Sequence, residues 1–143
     1  MRRLTQLLLL LCIGILPATA QVTADFTQSV VQGCSPLVVN FTNQSTGSPT
    51  SYQWFFGNGN VSFQASPGAV YLNPGVYTVT LVASNGTSSD TITKPNLITV
   101  FKNPVAIFSG DSLTGCIPHT VNFTDASEDG DLPIVSWQWD FGD

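Results

Sequence analysis

The sequence has few charged residues and almost no basic ones. Only 9% of its 143 residues are charged, with four Lys or Arg against nine Asp or Glu, and both arginines lie within the first three residues. Beyond residue 20, only Lys94 and Lys102 oppose the nine carboxylates, a formal charge of −7. This balance argues against a nucleic-acid partner, because such binding draws on Lys and Arg to neutralise phosphates. It equally disfavours docking to anionic lipid.

Residues that build catalytic or metal centres are also scarce. The chain has one histidine, His119, and beyond residue 20 only two cysteines, Cys34 and Cys116. A catalytic base or nucleophile needs partners that tune and orient it, and a zinc site needs about four ligands, mostly Cys and His. We therefore predict that the chain is not an enzyme and holds no cofactor or metal. His119 is expected to be an ordinary residue of a strand over 118–124.

A membrane-spanning apolar run is absent as well. The apolar stretch 7–16 follows Arg2 and Arg3 and is only about half the ~20 residues that cross a bilayer. It precedes a small-x-small sequence ending at Ala20, the order typical of a secretory signal peptide rather than of a membrane anchor. The prediction is a signal peptide over 1–20, cleaved after Ala20, and a secreted or cell-surface location without a transmembrane segment in the mature chain.

What the chain does contain is an internal repeat. Five residues recur 82 positions later: Phe26, Cys34, Pro36, Phe41 and Ser45 return as Phe108, Cys116, Pro118, Phe123 and Ser127. Trp54 and Phe56 return 85 positions later, as Trp139 and Phe141. Self-similarity at a fixed period indicates an array of modules. We expect a complete module over 21–103 and the N-terminal half of a second over 104–143, not stable without the counterpart of 71–100.

The local pattern predicts an all-β fold. Short runs rich in Val, Thr and aromatic residues alternate with Gly, Pro, Asn and Ser clusters, and no 3.6-residue apolar period persists. The spacing fits a two-sheet sandwich. The predicted strands cover 22–28, 37–43, 51–56, 61–64, 76–84 and 90–100. Alternation places Tyr52, Trp54 and Phe56 toward the core and Phe55 toward the outside. There, Phe55 is either an isolated exposed aromatic residue or a ligand contact.

Two motifs resemble those of the PKD domain (polycystic kidney disease repeat), W-x-F-G-D-G and Y-x-x-P-G-x-Y-x-V-x-L. The matching residues of the first copy are Trp54, Phe56, Gly57, Gly59, Tyr71, Pro74, Gly75 and Tyr77, and those of the second are Trp139 and Phe141. The resemblance implies an immunoglobulin-like β-sandwich, in tandem, with the second module truncated. It also implies that Tyr77 acts as a tyrosine-corner residue. Phe55 and Asn58 depart from the pattern, since Asp is usual at both positions.

The resemblance also implies a function outside the cell. Such modules serve as spacer, adhesion or interaction segments, so we expect a non-catalytic segment of a secreted or cell-surface bacterial protein. Its partners would be an unknown extracellular protein or polysaccharide and further modules of the same chain. The alternative is a set of accessory modules of a secreted peptidase or polysaccharide hydrolase whose catalytic domain lies beyond residue 143.

Two smaller questions stay open at the level of sequence. Four acidic residues of one loop could ligate calcium or could form an ordinary solvated turn: Asp125, Glu128, Asp129 and Asp131. Cys34 is expected to be a free, half-buried thiol, with intermolecular or inter-module pairing to a residue such as Cys116 as the alternative.

Overall fold

The computed structural model describes residues 21–142, so the predicted signal peptide lies outside the described residues. All regular structure in this range is β, and no helix in it could span a membrane. The ten strands are β1 (Phe26–Gln28), β2 (Gln32–Cys34), β3 (Leu37–Asn43), β4 (Ser51–Phe55), β5 (Val61–Ser62), β6 (Gly68–Tyr71), β7 (Gly75–Ser84), β8 (Ser89–Phe101), β9 (Phe108–Gly110) and β10 (Phe123–Asp125).

The first eight strands form two sheets of a sandwich. One sheet has the order β1-β3-β6 and the other the order β2-β8-β7-β4-β5. All pairings are antiparallel except that of β2 with β8. Buried side chains from both sheets share one core: Phe26, Val39, Phe41, Ala69 and Tyr71 from the first, with Trp54, Phe56, Val79, Leu81, Ile98 and Val100 from the second or its flanks. The all-β, immunoglobulin-like fold predicted from the sequence is confirmed.

Side-chain alternation decides which residues enter this core. In β7, Val79 and Leu81 are buried while Thr80 between them is only partly covered. In β4, Trp54 is fully buried and Phe55 is 40% exposed. Successive side chains of a strand point to opposite faces, so a single buried apolar set specifies the register of each strand. The faces predicted for Trp54 and Phe55 are confirmed.

The sequence pattern missed two strands and misjudged a third. β2 has no apolar alternation and forms because Gln32 to Cys34 lie in register beside the end of β8. β6 is short but alternates, with Ala69 and Tyr71 buried. The strand predicted over 118–124 is wrong, since β10 covers only Phe123–Asp125 and His119 lies before it in irregular backbone, with Nε2 3.1 Å from the Ser112 carbonyl.

The segment after β8 repeats the start of the sandwich. β9 pairs with β10 so that Phe108 faces Asp125, as Phe26 of β1 faces Asn43 of β3. Both positions are shifted by 82 residues, the period of the sequence repeat. The isolated bridge between Val105 and Glu128 likewise repeats that between Thr23 and Thr46. The repeat in sequence is therefore also a repeat in backbone pairing.

Candidate interaction surfaces

The residues of the first sequence motif are used in packing. Trp54 lies at the centre of a first aromatic cluster, which consists of Phe26, Phe41, Trp54 and Phe56. Its ring centroid is 5.1 Å from that of Phe26 and 5.6 Å from that of Phe41. Its indole N–H donates to the Gln64 carbonyl at 2.9 Å, which satisfies the one polar group that burial would otherwise leave without a partner. Trp54 and Phe56 are thus core residues rather than ligand contacts.

The two tyrosines of the second motif fasten the turns around them. The buried Tyr71 hydroxyl donates to the Phe56 carbonyl at 3.1 Å. Burial, with a smaller contribution from Tyr77, raises the pKa of Tyr71 to about 12, because the phenolate cannot be solvated there. The Tyr77 hydroxyl donates to the carbonyl of Asn73, four residues upstream, at 2.7 Å, as a tyrosine corner does. Pro74 and Gly75 complete that turn.

The two glycines of the first motif form a turn after β4. Gly57 and Gly59 have φ angles of 78° and 87°, a region that residues with a Cβ rarely adopt. Between them, the Asn58 amide nitrogen donates to the Val70 carbonyl at 3.1 Å. Its side-chain oxygen accepts from the Asn60 N–H at 3.0 Å. Asn58, which stands where the family has Asp, therefore has a structural role in joining this turn to β6.

Lys94 holds the edge of β1, a contact that sequence reasoning missed because its partners lie 68 or more positions away. Its ammonium group is 3.2 Å from the Asp25 carboxylate, 2.5 Å from the Phe26 carbonyl and 4.4 Å from the Phe26 ring centroid. The pKa of Asp25 is lowered chiefly by the Phe26 backbone N–H and next by Lys94. Because Asp25 is largely exposed, this pair is a modest fastening.

The outer face of the five-stranded sheet is uncharged. Across it, Phe55 of β4 is in register with Thr80 of β7, and Thr80 with Thr93 of β8. The Thr80 and Thr93 hydroxyls lie 2.9 Å apart. One residue pair further along, Gln53 of β4 faces Val82 of β7. This outer β4-β7-β8 surface presents the Phe55 ring and Val82 among uncharged polar side chains and is the candidate contact surface of the first module.

The carboxylates proposed for calcium do not converge. Within residues 21–142 there is no group of three or more His, Cys, Asp or Glu side chains that could hold a metal ion. Asp125 accepts from the Ser127 hydroxyl, which lowers its pKa, Asp129 accepts from the Ile134 N–H, and Asp131 accepts from the Lys102 N–H. Glu128 pairs with Val105 through its backbone. Asp125, Asp129 and Asp131 thus each accept a hydrogen bond from a donor within the protein, and calcium binding by this loop stays a prediction.

The two cysteines are free and exposed. The expectation of a half-buried Cys34 is wrong, because β2 lies at the edge of its sheet and its Cys34 side chain is not covered. Cys34 and Cys116 are not joined to each other.

A second aromatic cluster, Phe108, Phe123, Trp139 and Phe141, reproduces the first. Phe108 and Trp139 are 5.4 Å apart with their planes at 73°, against 5.1 Å and 68° for Phe26 and Trp54. Trp139 and Phe141 are 6.1 Å apart and stacked at 10°, against 6.3 Å and 12° for their counterparts. A cavity of about 500 Å³ lies against the second cluster. Sequence reasoning found these residues, and only the structure shows that they meet.

Comparison with known families agrees with this geometry. Residues 18–100 match the family model of the PKD domain. The chain belongs to the PKD domain family. The match ends where β8 ends, so the second set of repeated contacts lies outside it.

Relatives and solved structures of the family include proteins of Vibrio. The chain is 32% identical over 109 residues to the pre-pro-metalloprotease PrtV of Vibrio cholerae, covering 76% of this chain and 12% of that protein. The chain thus spans about an eighth of the curated relatives it matches. A crystal structure of the PKD1 domain from Vibrio cholerae PrtV is 34% identical, covers 56% of this chain and 96% of that chain, and has a TM-score of 0.49. A structure from a study of carbohydrate-binding modules of the β-sandwich superfamily is 20% identical, covers 68% of this chain and 50% of the other, and shares the fold with a TM-score of 0.52.

Proposed function

We propose that this chain is a non-catalytic extracellular segment that acts as a spacer, adhesion or protein- or carbohydrate-interaction module of a secreted or cell-surface bacterial protein. Membership of the PKD family supports a non-catalytic accessory role. Among the proposed roles, the geometry of the first module supports a spacer best.

The observation that carries the spacer role is that the chain enters and leaves the sandwich at opposite ends. At entry, the Val22 N–H donates to the Ser88 hydroxyl at 3.0 Å, and Ser88 directly precedes β8. At exit, Phe101 is the last residue of β8, where its carbonyl accepts from the Ser35 N–H at 3.0 Å. β8 has a bulge opposite Tyr77 to Val79, and the ten residues of β7 pair with the stretch of β8 from Ser89 to Val100. At ~3.3 Å per residue the module therefore displaces the chain by roughly 30 Å.

The connection to the following segment is short and held on both sides. The Asn103 amide donates to the Ser35 carbonyl of the first module at 2.6 Å. The Lys102 N–H donates to the Asp131 carboxylate of the second segment at 2.6 Å, and the Asp131 N–H donates back to the Lys102 carbonyl at 3.2 Å. A connection held by these hydrogen bonds would keep the following segment at the exit end of the first module, so the distance that the module spans would not be lost in a flexible linker.

Energy transfer between two dyes tests the spacer geometry. With Cys34→Ser and Cys116→Ser removing the native thiols, one dye is placed at residue 21 and the other at Lys102→Cys. The expected separation is roughly 30 Å. A control pair at residue 21 and Ser88→Cys, which lie at the same end, should give a much shorter distance. Equal distances for the two pairs would contradict the proposal.

An accessory role in a secreted peptidase is the second candidate. It is favoured by the identity to a metalloprotease precursor, which extends over 109 residues and so beyond a single module. The coding sequence downstream of residue 143 separates the candidates: a catalytic domain there supports the accessory role, and further modules ending in an anchoring or secretion domain support the spacer.

A further inference from the structure

The chain enters the first module at Gln21, the residue that directly follows the predicted signal peptide. Gln21 is exposed, whereas Val22 is only 2% exposed and packs with Ala24 and Ala83 in a small core cluster of its own. We propose that Gln21, once it is the first residue of the mature chain, cyclises to pyroglutamate and makes the N-terminus a neutral lactam. The proposal rests on the proposed secreted location, because cleavage after Ala20 is the step that frees the Gln21 amine.

The fold holds the backbone from the Gln21 carbonyl onward. The N–H of the next residue, Val22, donates to the Ser88 hydroxyl at 3.0 Å. Gly47 lies against the Gln21 carbonyl so closely that a Cβ added to this glycine would be 2.1 Å from the carbonyl oxygen. Neither contact involves the nitrogen or the side chain of Gln21. The two groups that must react are therefore outside the packed part of the module.

The Gln21 side chain is available to react with its own backbone nitrogen. Within residues 21–142, no hydrogen bond or ion pair engages its carboxamide. The α-amine and Cδ of one glutamine close an unstrained five-membered ring. Because both groups belong to one residue, the attack needs no encounter in solution, which removes much of its entropic barrier.

The reaction needs no co-reactant. The neutral α-amine of Gln21 attacks Cδ, an N–Cδ bond forms, and the bond between Cδ and the carboxamide nitrogen breaks. That nitrogen takes up the proton released by the attacking amine and leaves as ammonia, so no atom is oxidised or reduced. An α-amine has a pKa of about 7.7 to 8.0, so an appreciable fraction is the neutral nucleophile near neutral pH.

The lactam would close the N-terminus of the mature chain to aminopeptidases. It removes the free amine that these enzymes require, together with its positive charge. Without the ring, Gln21 is open to removal, but Val22 behind it is buried and its N–H is bonded to Ser88. The ring and the buried valine would thus protect two consecutive positions.

The experiment secretes the chain of 143 residues from a bacterial host and follows its N-terminal peptide by mass spectrometry. Chymotrypsin cuts the denatured protein after Phe26 and releases the peptide 21–26. We expect this peptide to be lighter by one ammonia in most molecules after incubation at neutral pH, and to lack a free amine.

Two variants at the same position are matched controls. Gln21→Asn keeps the carboxamide but is one methylene shorter, so it cannot close the five-membered ring and should keep its free amine. Gln21→Glu should cyclise on the order of 100-fold more slowly at pH 7, because a carboxyl group of pKa ~4.3 is almost entirely ionised there. An aminopeptidase should remove residue 21 from the folded Gln21→Asn variant, stop before Val22, and leave the wild type intact.

Three results would overturn the proposal. One is a peptide 21–26 that keeps its full mass and its free amine on prolonged incubation, which rejects the cyclisation and leaves the secreted location standing. Another is a secreted chain whose first residue is not Gln21. The third is a chain that stays in the cell with residues 1–20 attached, which contradicts the proposed location as well.

Discussion

At the scale of single residues, adjacent side chains of one strand in the first module differ in burial and therefore in role. Trp54 and Phe55 are adjacent aromatic residues, yet one is fully buried between the sheets and the other lies on the outer β4-β7-β8 surface. Their burial follows from the alternation of the strand alone. Substituting each of the two residues therefore compares what an aromatic side chain contributes to stability inside the core and outside it.

Trp54→Ala should lower the free energy of unfolding by roughly 3 to 5 kcal/mol, since it leaves a cavity in the core, and it also removes the indole hydrogen bond to Gln64. A small domain has only ~5 to 15 kcal/mol in total. Phe55→Ala, the matched control, should cost less than half as much. Urea titrations of both variants check this, and equal losses would mean that the assignment of faces is wrong.

The raised pKa of Tyr71 predicts that the protein loses stability at alkaline pH. Its pKa is raised by burial from 10.0 to about 12 in the folded state, so the folded protein binds this proton more tightly than the unfolded chain. Its contribution is complete below the unfolded pKa of 10.0 and is lost as the pH rises through about 12. Urea midpoints across this range should fall with pH. Tyr71→Phe should remove that part of the slope, whereas Tyr77→Phe should leave most of it in place, because burial is the larger cause of the raised pKa.

At the scale of elements, the turn after β4 positions β5 and β6. Gly57 and Gly59 both have positive φ, but their surroundings differ. A Cβ on Gly57 would lie 2.6 Å from the Thr78 carbonyl oxygen, whereas one on Gly59 would meet nothing within 4 Å. Conformational strain is thus common to both sites, and a clash with β7 is present at only one.

Gly57→Ala should therefore destabilise the module more than Gly59→Ala does. Both variants incur ~1 to 2 kcal/mol for a left-handed conformation, and Gly57→Ala adds the displacement of β4 from β7. Denaturant unfolding of both variants measures the difference. Indistinguishable midpoints would indicate that the turn moves away from Thr78 without cost.

At the scale of the whole molecule, the two halves differ in how far their aromatic side chains are buried. Residues 22–101 form a sandwich of eight strands around one aromatic core. Residues 104–142 contain two strands of three residues each and an exposed copy of the aromatic cluster. A segment of about 40 residues without disulfide or metal rarely offsets its chain entropy.

Limited proteolysis should accordingly cut within 104–142 before it cuts within 22–100. Mass spectrometry of early digests identifies the sites, and residues 21–103 should accumulate as the resistant product. That product should unfold cooperatively in urea with a β-type far-UV spectrum. Equal resistance of the two segments would show that the second forms a stable unit without further chain.

The sequence by itself determined the class of fold, the motif residues and the repeat. Alternation in β4 and β7 is a local property, since each side chain's face follows from its neighbours, and it correctly placed Trp54 and Phe55. Tertiary structure alone decided the rest. β2 forms through parallel pairing with a strand 67 positions away in register, Lys94 reaches Asp25 and Phe26 across the sandwich, and Asp131 accepts from the Lys102 N–H, 29 positions away. These contacts depend on which distant segments come together, and no local pattern encodes that.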